Sequence, residues 1–154
     1  MAGKVRTFRP FLPTLTYVAA RMRERDVREF GCLGDATPMQ RANGFQHMPL
    51  ITVLGRERPE IVIGGGEVMP GVWWAAAYAT DKFASLKLSA TKAALRLINE
   101  ARERGGRRVE TRVLTSHVDS VAWLEFLGFH IEATFPFGMN GEEFHQCAMP
   151  LVRC

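Results

Sequence analysis

The side chains of this 154-residue chain that could do chemistry are few and scattered. Four histidines, His47, His117, His130 and His145, show no metal-ligand spacing; capping or surface placement is the expected role of each, and only His117 is a candidate proton carrier. Cys32, Cys147 and Cys154 form no CxxC or CxxH pair, which argues against zinc and reads as reduced thiols in a cytosolic setting. The triplet Gly64-Gly65-Gly66 invites a phosphate reading, because glycine lets backbone amides come close to an anion. It lies between two strands rather than between a strand and a helix, so a flexible hairpin is expected instead. Trp73 and Trp74 are adjacent on a strand, so one points inward and the other outward, where it could anchor a partner.

Bulk composition narrows the classes. With 47% hydrophobic and 23% charged residues the chain is not a disordered segment, and its length suits one domain, residues 1–154, around one core. A net charge of +4 gives a mildly basic surface. Lys87, Lys92, Arg96, Arg102, Arg104, Arg107 and Arg108 could contact nucleic acid weakly, though a solvated helix face accounts for them equally well. No apolar run is long enough to span a bilayer, and Met1 to Pro10 holds no signal-peptide hydrophobic region.

These residues have to be positioned by regular elements. Lys4–Arg9 reads as a short strand closed by Pro10 and Pro13. Leu15, Val18, Ala19, Met22, Val27 and Phe30 recur at helical spacing, with Arg21, Arg23, Glu24 and Arg25 turned outward; this predicts one amphipathic helix ending near Gly31. Thr37-Pro38-Met39-Gln40 is a capping sequence that opens a second helix. Residues 50–54, 61–63 and 72–78 read as three strands of an antiparallel meander. Leu86, Ala90, Ala93, Ala94, Leu97, Ile98 and Ala101 form the apolar face of a long helix stopped by Gly105-Gly106. A strand over 109–113 follows, then a helix capped by Ser116 and ended by Gly128. Two strands, 129–135 and 144–148, flank Gly138-Met139-Asn140-Gly141. A long helix between the fourth and fifth strands implies a right-handed crossover and a parallel pair within a mixed sheet.

That order, and above all Val113 to Phe129 (V-L-T-S-H-V-D-S-V-A-W-L-E-F-L-G-F), resembles the GNAT superfamily of acetyl-coenzyme A dependent N-acetyltransferases. The resemblance implies an α/β (α+β) fold: a mixed sheet of six or seven strands with helices on both faces. It also implies a coenzyme site where the fourth strand meets the long helix. There the family cradles pyrophosphate in a glycine-rich loop, whereas Thr80 to Ser89 contains no glycine. Phe83 and Leu86 occupy the approach, and Asp81 adds a negative charge. Where the family often carries a tyrosine proton donor this chain has Leu124, and at the helix-opening asparagine position it has His117.

Residues 51–129 are similar, more narrowly, to the GNAT-like internal virion protein A family of short-tailed bacteriophages. The likeness is carried by Ile63-Gly64-Gly65, Val72-Trp73-Trp74, the glycine-poor basic helix and Ser116-His117…Trp123-Leu124…Gly128. It implies a non-catalytic, virion-associated assembly component, found in the virion and host cytoplasm, with other phage structural proteins as partners, no membrane association, no cofactor and an oligomer left open. The alternative is an acetyl-coenzyme A dependent N-acetyltransferase with an atypical coenzyme site. Under it, His117 and Tyr78 are the candidate proton donors, and Ala77, Ala79 and Ser85 the candidate coenzyme contacts. The missing glycines lead to an expected affinity for acetyl-coenzyme A no better than millimolar.

Overall fold

A computed structural model describes residues 3–152, so the thiol reading of Cys154 lies outside the described residues. The elements are β1 (Arg6–Phe8), α1 (Leu12–Ala19), α2 (Glu24–Gly31), α3 (Pro38–Gln46), β2 (Leu50–Gly55), β3 (Pro59–Met69) and β4 (Val72–Ala79). They continue with α4 (Phe83–Glu103), β5 (Arg108–Leu114), α5 (Val118–Leu127), β6 (His130–Pro136) and β7 (Glu143–Pro150). One mixed sheet of seven strands results, in the order β1-β2-β3-β4-β5-β7-β6. The expected parallel pairing of the fourth and fifth strands is present near their beginnings, at Val72↔Arg108, Trp73↔Val109 and Trp74↔Glu110.

Alternation along the strands splits the core between two faces. Leu54, Ile61, Ile63, Trp73, Ala79, Val109 and Val113 meet the apolar stripe of α4 on one face. Val53, Val62 and Tyr78 meet α1 and α3 on the other. Of the tryptophan pair, Trp73 is the inward member at 4% exposure and Trp74 the outward one at 37%. Thr37 caps α3 as its sequence implies: its hydroxyl accepts from the Gln40 amide, while the Gln40 side chain accepts from the Thr37 amide. Gly105 and Gly128 take positive φ, 86° and 114°, past the ends of α4 and α5.

Three local expectations change. The single helix expected over residues 15–30 is two helices, because the chain leaves helical geometry at Arg23 (ψ 155°), whose amide donates to the Ala79 carbonyl of β4 at 2.9 Å. A sheet-edge hydrogen bond thus outcompetes the helical period. Gly64-Gly65-Gly66 is not a hairpin but the middle of the eleven-residue β3. A Cβ on Gly65 would stand 2.9 Å from the Trp74 carbonyl oxygen and one on Gly64 2.7 Å from Met48 Sδ, so these glycines serve close packing. Finally, His117 rather than Ser116 holds the N-cap position of α5, and its side chain makes no capping hydrogen bond. Among the described residues no helix is long and apolar enough to cross a membrane, and Cys32 and Cys147 are free thiols.

Candidate functional site

The chemistry of this sheet collects where its ladder fails. Beyond Trp74 and Glu110, β4 and β5 diverge with no further pairing. The register of β4 on β3 is unbroken from Ile61↔Ala79 to Glu67↔Trp73. Alternation therefore sets the amide and carbonyl of Ala77 on the same edge as those of Ala79, facing the gap. The helix α2 lies across the gap's open end. Its buried Asp26 accepts the Ala79 amide at 2.8 Å, and its Glu29 accepts the Leu114 amide of β5 at 2.6 Å. Two carboxylates on one helix, three residues apart and so on one face, take up amides where the ladder between β4 and β5 has ended.

These carboxylates differ in environment. Asp26 is also held by Arg23, whose Nε donates to it at 2.9 Å. Among the described residues Glu29 has no arginine or lysine within 4.0 Å. Burial, opposed by the Leu114 amide and reinforced by Asp26, raises its pKa from 4.5 to about 7. The neighbouring His117 Nδ1 is 3.9 Å from Glu29 Oε1. His117 is 6% exposed, and neither ring nitrogen has a hydrogen-bond partner. Its pKa is lowered by burial and by Arg25 and Arg28, so the ring beside Glu29 is neutral near pH 7.

Hollows open on either side of the gap. One of about 90 Å³ lies under α4 and α5, lined by Ala75, Ala77, Leu97, Trp123 and Leu124. Another of about 180 Å³ lies on the α2 side, between Glu29, Phe30, Trp74, Arg112 and Phe137. Both are lined by Ala75, Ala76, Ala77, Thr111, Trp123 and Leu124, so both border the gap. A polar cleft of about 750 Å³ runs along the start of α4 between α2 and α5. Arg23, Arg25, Arg28 and Lys87 bring cations to it; Glu24, Asp81 and Asp119 bring carboxylates.

The residues singled out in the sequence are only partly brought together. His117 lines the polar cleft beside Glu29, buried rather than on the surface. Tyr78 is at 1% exposure on the α1 and α3 face, its hydroxyl donating to the Leu15 carbonyl at 2.9 Å between the rings of Phe45 and Phe30. Burial raises its pKa further above its ordinary value. Ala77 lines the gap, while both backbone polar groups of Ala79 are taken by α2. Ser85 is exposed, its hydroxyl donating to the Lys82 carbonyl at 2.9 Å. Leu86 turns into the core and leaves the helix start clear, whereas Phe83 stays there, against Trp123 at 5.3 Å between ring centroids. Glu29, Arg112 and the cleft role of the α2 arginines were missed. For Glu29 and the α2 arginines the only signal was a charged run that helical periodicity assigns to a solvated face; for Arg112 it was alternation in β5.

No protein-family model matches this chain, and no curated protein matches it. Solved structures do. Ard1 from Thermoplasma volcanium superposes with a TM-score of 0.77 at 16% identity, over 99% of this chain and 100% of that one. The putative acetyltransferase yncA from Salmonella typhimurium, solved with its cofactor acetyl-CoA, gives 0.77 at 14% identity over 100% and 96%. An acetyltransferase of the GNAT family from Bacillus anthracis gives 0.72 at 14% identity over 98% and 97%. Among the described residues the chain has the GNAT fold.

Proposed function

We propose that this GNAT-fold chain is an N-acyltransferase that moves an acyl group from acetyl-coenzyme A, or a close thioester relative, to an amine. The observation that carries the reading is Glu29, a carboxylate poised near neutrality at the mouth of the gap between β4 and β5. An alkyl amine is protonated at pH 7 and cannot attack until a base removes a proton. A base with a pKa of about 7 is suited to that work. The assembly role implied by the phage resemblance needs no such group.

The coenzyme supplies a thioester whose carbonyl carbon accepts the nucleophile. The residues present suit it. The free amide and carbonyl edge of Ala77 matches the peptide-like groups of a pantetheine arm, by hydrogen bonds of the strand type. Lys87, and Arg25 and Arg28 on exposed pairs with Asp119 and Glu24 that phosphate can displace, offer the charge that a glycine loop would have supplied through backbone amides, with the start of α4 adding its dipole. This revises the expectation that no cofactor is bound.

Glu29 takes one proton from the ammonium; the amine nitrogen bonds to the thioester carbon; the carbon–sulfur bond breaks, and the thiolate takes the second proton that nitrogen sheds on becoming an amide. Glu29 returns its proton to solvent, and the neutral His117 ring lies between it and the polar cleft. Tyr78, committed to Leu15, takes no part.

The test joins calorimetry with a thiol-release assay. Acetyl-coenzyme A should bind in the micromolar range, and thiol release should depend on added amine. Binding no tighter than millimolar, without turnover of any amine, would return the chain to the assembly role. Stoichiometric recovery in purified phage particles would then be the expected companion result.

A further inference from the structure

Resting on the acyltransfer reading, we infer that the acceptor is a small amine that also bears a carboxylate and an aromatic or branched apolar group, a free amino acid in chemical class, and that Arg112 binds its carboxylate. The inference starts from how Arg112 is held. Its guanidinium carbon is 4.2 Å from the ring centroid of Phe137, 4.6 Å from Trp74 and 5.4 Å from Phe135. Its Nε donates to Gln146 Oε1 at 2.9 Å. Among the described residues its two terminal nitrogens make no hydrogen bond, and no carboxylate lies within 4.0 Å of them.

The neighbouring arginines contrast with it. Arg108 is shared between Glu110 and Glu132, Arg23 is on Asp26, Arg25 on Asp119 and Arg28 on Glu24. Glu110, the carboxylate nearest Arg112 along β5, is satisfied by Arg108 and by the Trp74 indole N–H. Stacking fixes the plane of Arg112 before any ligand arrives and leaves its two-pronged end open. That geometry matches a carboxylate by two parallel hydrogen bonds.

Position completes the case. Arg112 lies two residues before Leu114, whose amide holds Glu29, about 7 Å apart along a strand. Both side chains line the 180 Å³ hollow. One molecule can therefore give its carboxylate to Arg112 and its ammonium to Glu29. The remaining walls, Phe30, Leu33, Trp74, Phe137 and Phe144, offer apolar and aromatic surface to a side chain. A polyamine would find a cation where it needs an anion.

Titration of the full chain with L-phenylalanine and with phenethylamine, which differ by the carboxylate alone, tests the site without requiring turnover. Phenylalanine should bind at least tenfold more tightly, and R112Q should bring the two within threefold of each other, with R112K intermediate. Phenethylamine binding as well as phenylalanine to the wild-type protein overturns the inference, as does a preference that survives in R112Q. Thiol release from acetyl-coenzyme A, run with the same two amines, separates the claims. Turnover without carboxylate preference sinks this inference alone. Carboxylate-selective binding without turnover sinks the acyltransfer reading and leaves the Arg112 site standing.

Discussion

Replacing Glu29 by glutamine should make the protein more stable and less active at once. Glutamine keeps an oxygen for the Leu114 amide and removes the charge that burial penalises. Between pH 4.5 and about 7 the native wild-type chain retains a proton on Glu29 that the unfolded chain has released. The native state binds more protons there, so stability falls as pH rises through that window and is level above it. The interval corresponds to about 3 kcal/mol, an upper figure because the side chain keeps 19% exposure. At roughly 2–4 °C per kcal/mol for a chain of this size, E29Q should melt up to about 6–12 °C higher than wild type at pH 8, and at the same temperature at pH 4. Loss of the base should lower turnover about 10²- to 10⁴-fold and abolish the rise of kcat/KM with pH toward its plateau above 7. Thermal denaturation at several pH values, paired with thiol release, measures both. A stability difference independent of pH would refute the assignment of a buried, near-neutral carboxyl. Unchanged turnover would refute its role as base.

Other parts of the site and scaffold respond differently. Substituting Arg25 and Arg28 together by glutamine should weaken acetyl-coenzyme A binding about tenfold or more by calorimetry and flatten its salt dependence, because two cleft cations are lost from a phosphate-bearing ligand. Tyr78→Phe should cost about 1 kcal/mol in urea denaturation, for the bond its hydroxyl donates to the Leu15 carbonyl, without shifting the pH profile of turnover. Gly65→Ala should cost about 1–3 kcal/mol by the same measurement, since its Cβ meets the Trp74 carbonyl oxygen and β3 and β4 must part.

Much of the fold was legible because it is written in local patterns. The Thr37–Gln40 box, the apolar stripe of α4 and the glycines after α4 and α5 each specify an element from a few neighbouring residues. The parallel start of β4 and β5 followed from the length of the connection between them. The site was far less legible. Glu29 is one of three carboxylates interleaved with arginines on α2, and its proton affinity comes from burial under strands some 50 to 85 residues distant in sequence. Arg112 sits in a strand whose alternation marks it only as outward-facing; the aromatic rings that hold it arrive from β4, β6 and the turn after β6. The absence of glycine before α4 led to an expectation of no coenzyme, while the cations Arg25 and Arg28 that line the cleft there lie on another element, α2. His117 was noticed for its identity, whereas its burial and unpartnered ring nitrogens depend on the docking of α2.

The bridge of α2 across the open end of the sheet bears on how such a protein can change over generations. Where a spacing between strands is set by a backbone ladder, altering it means shifting register, and one step of register exchanges the two faces of a strand. Here two side-chain carboxylates set the spacing, one on the Ala79 amide and one on the Leu114 amide. A single codon change at position 26 or 29 can reach the aperture while every strand keeps its partners. Wider or narrower openings are therefore within reach of side-chain changes alone, from a sheet whose strand pairing stays as it is.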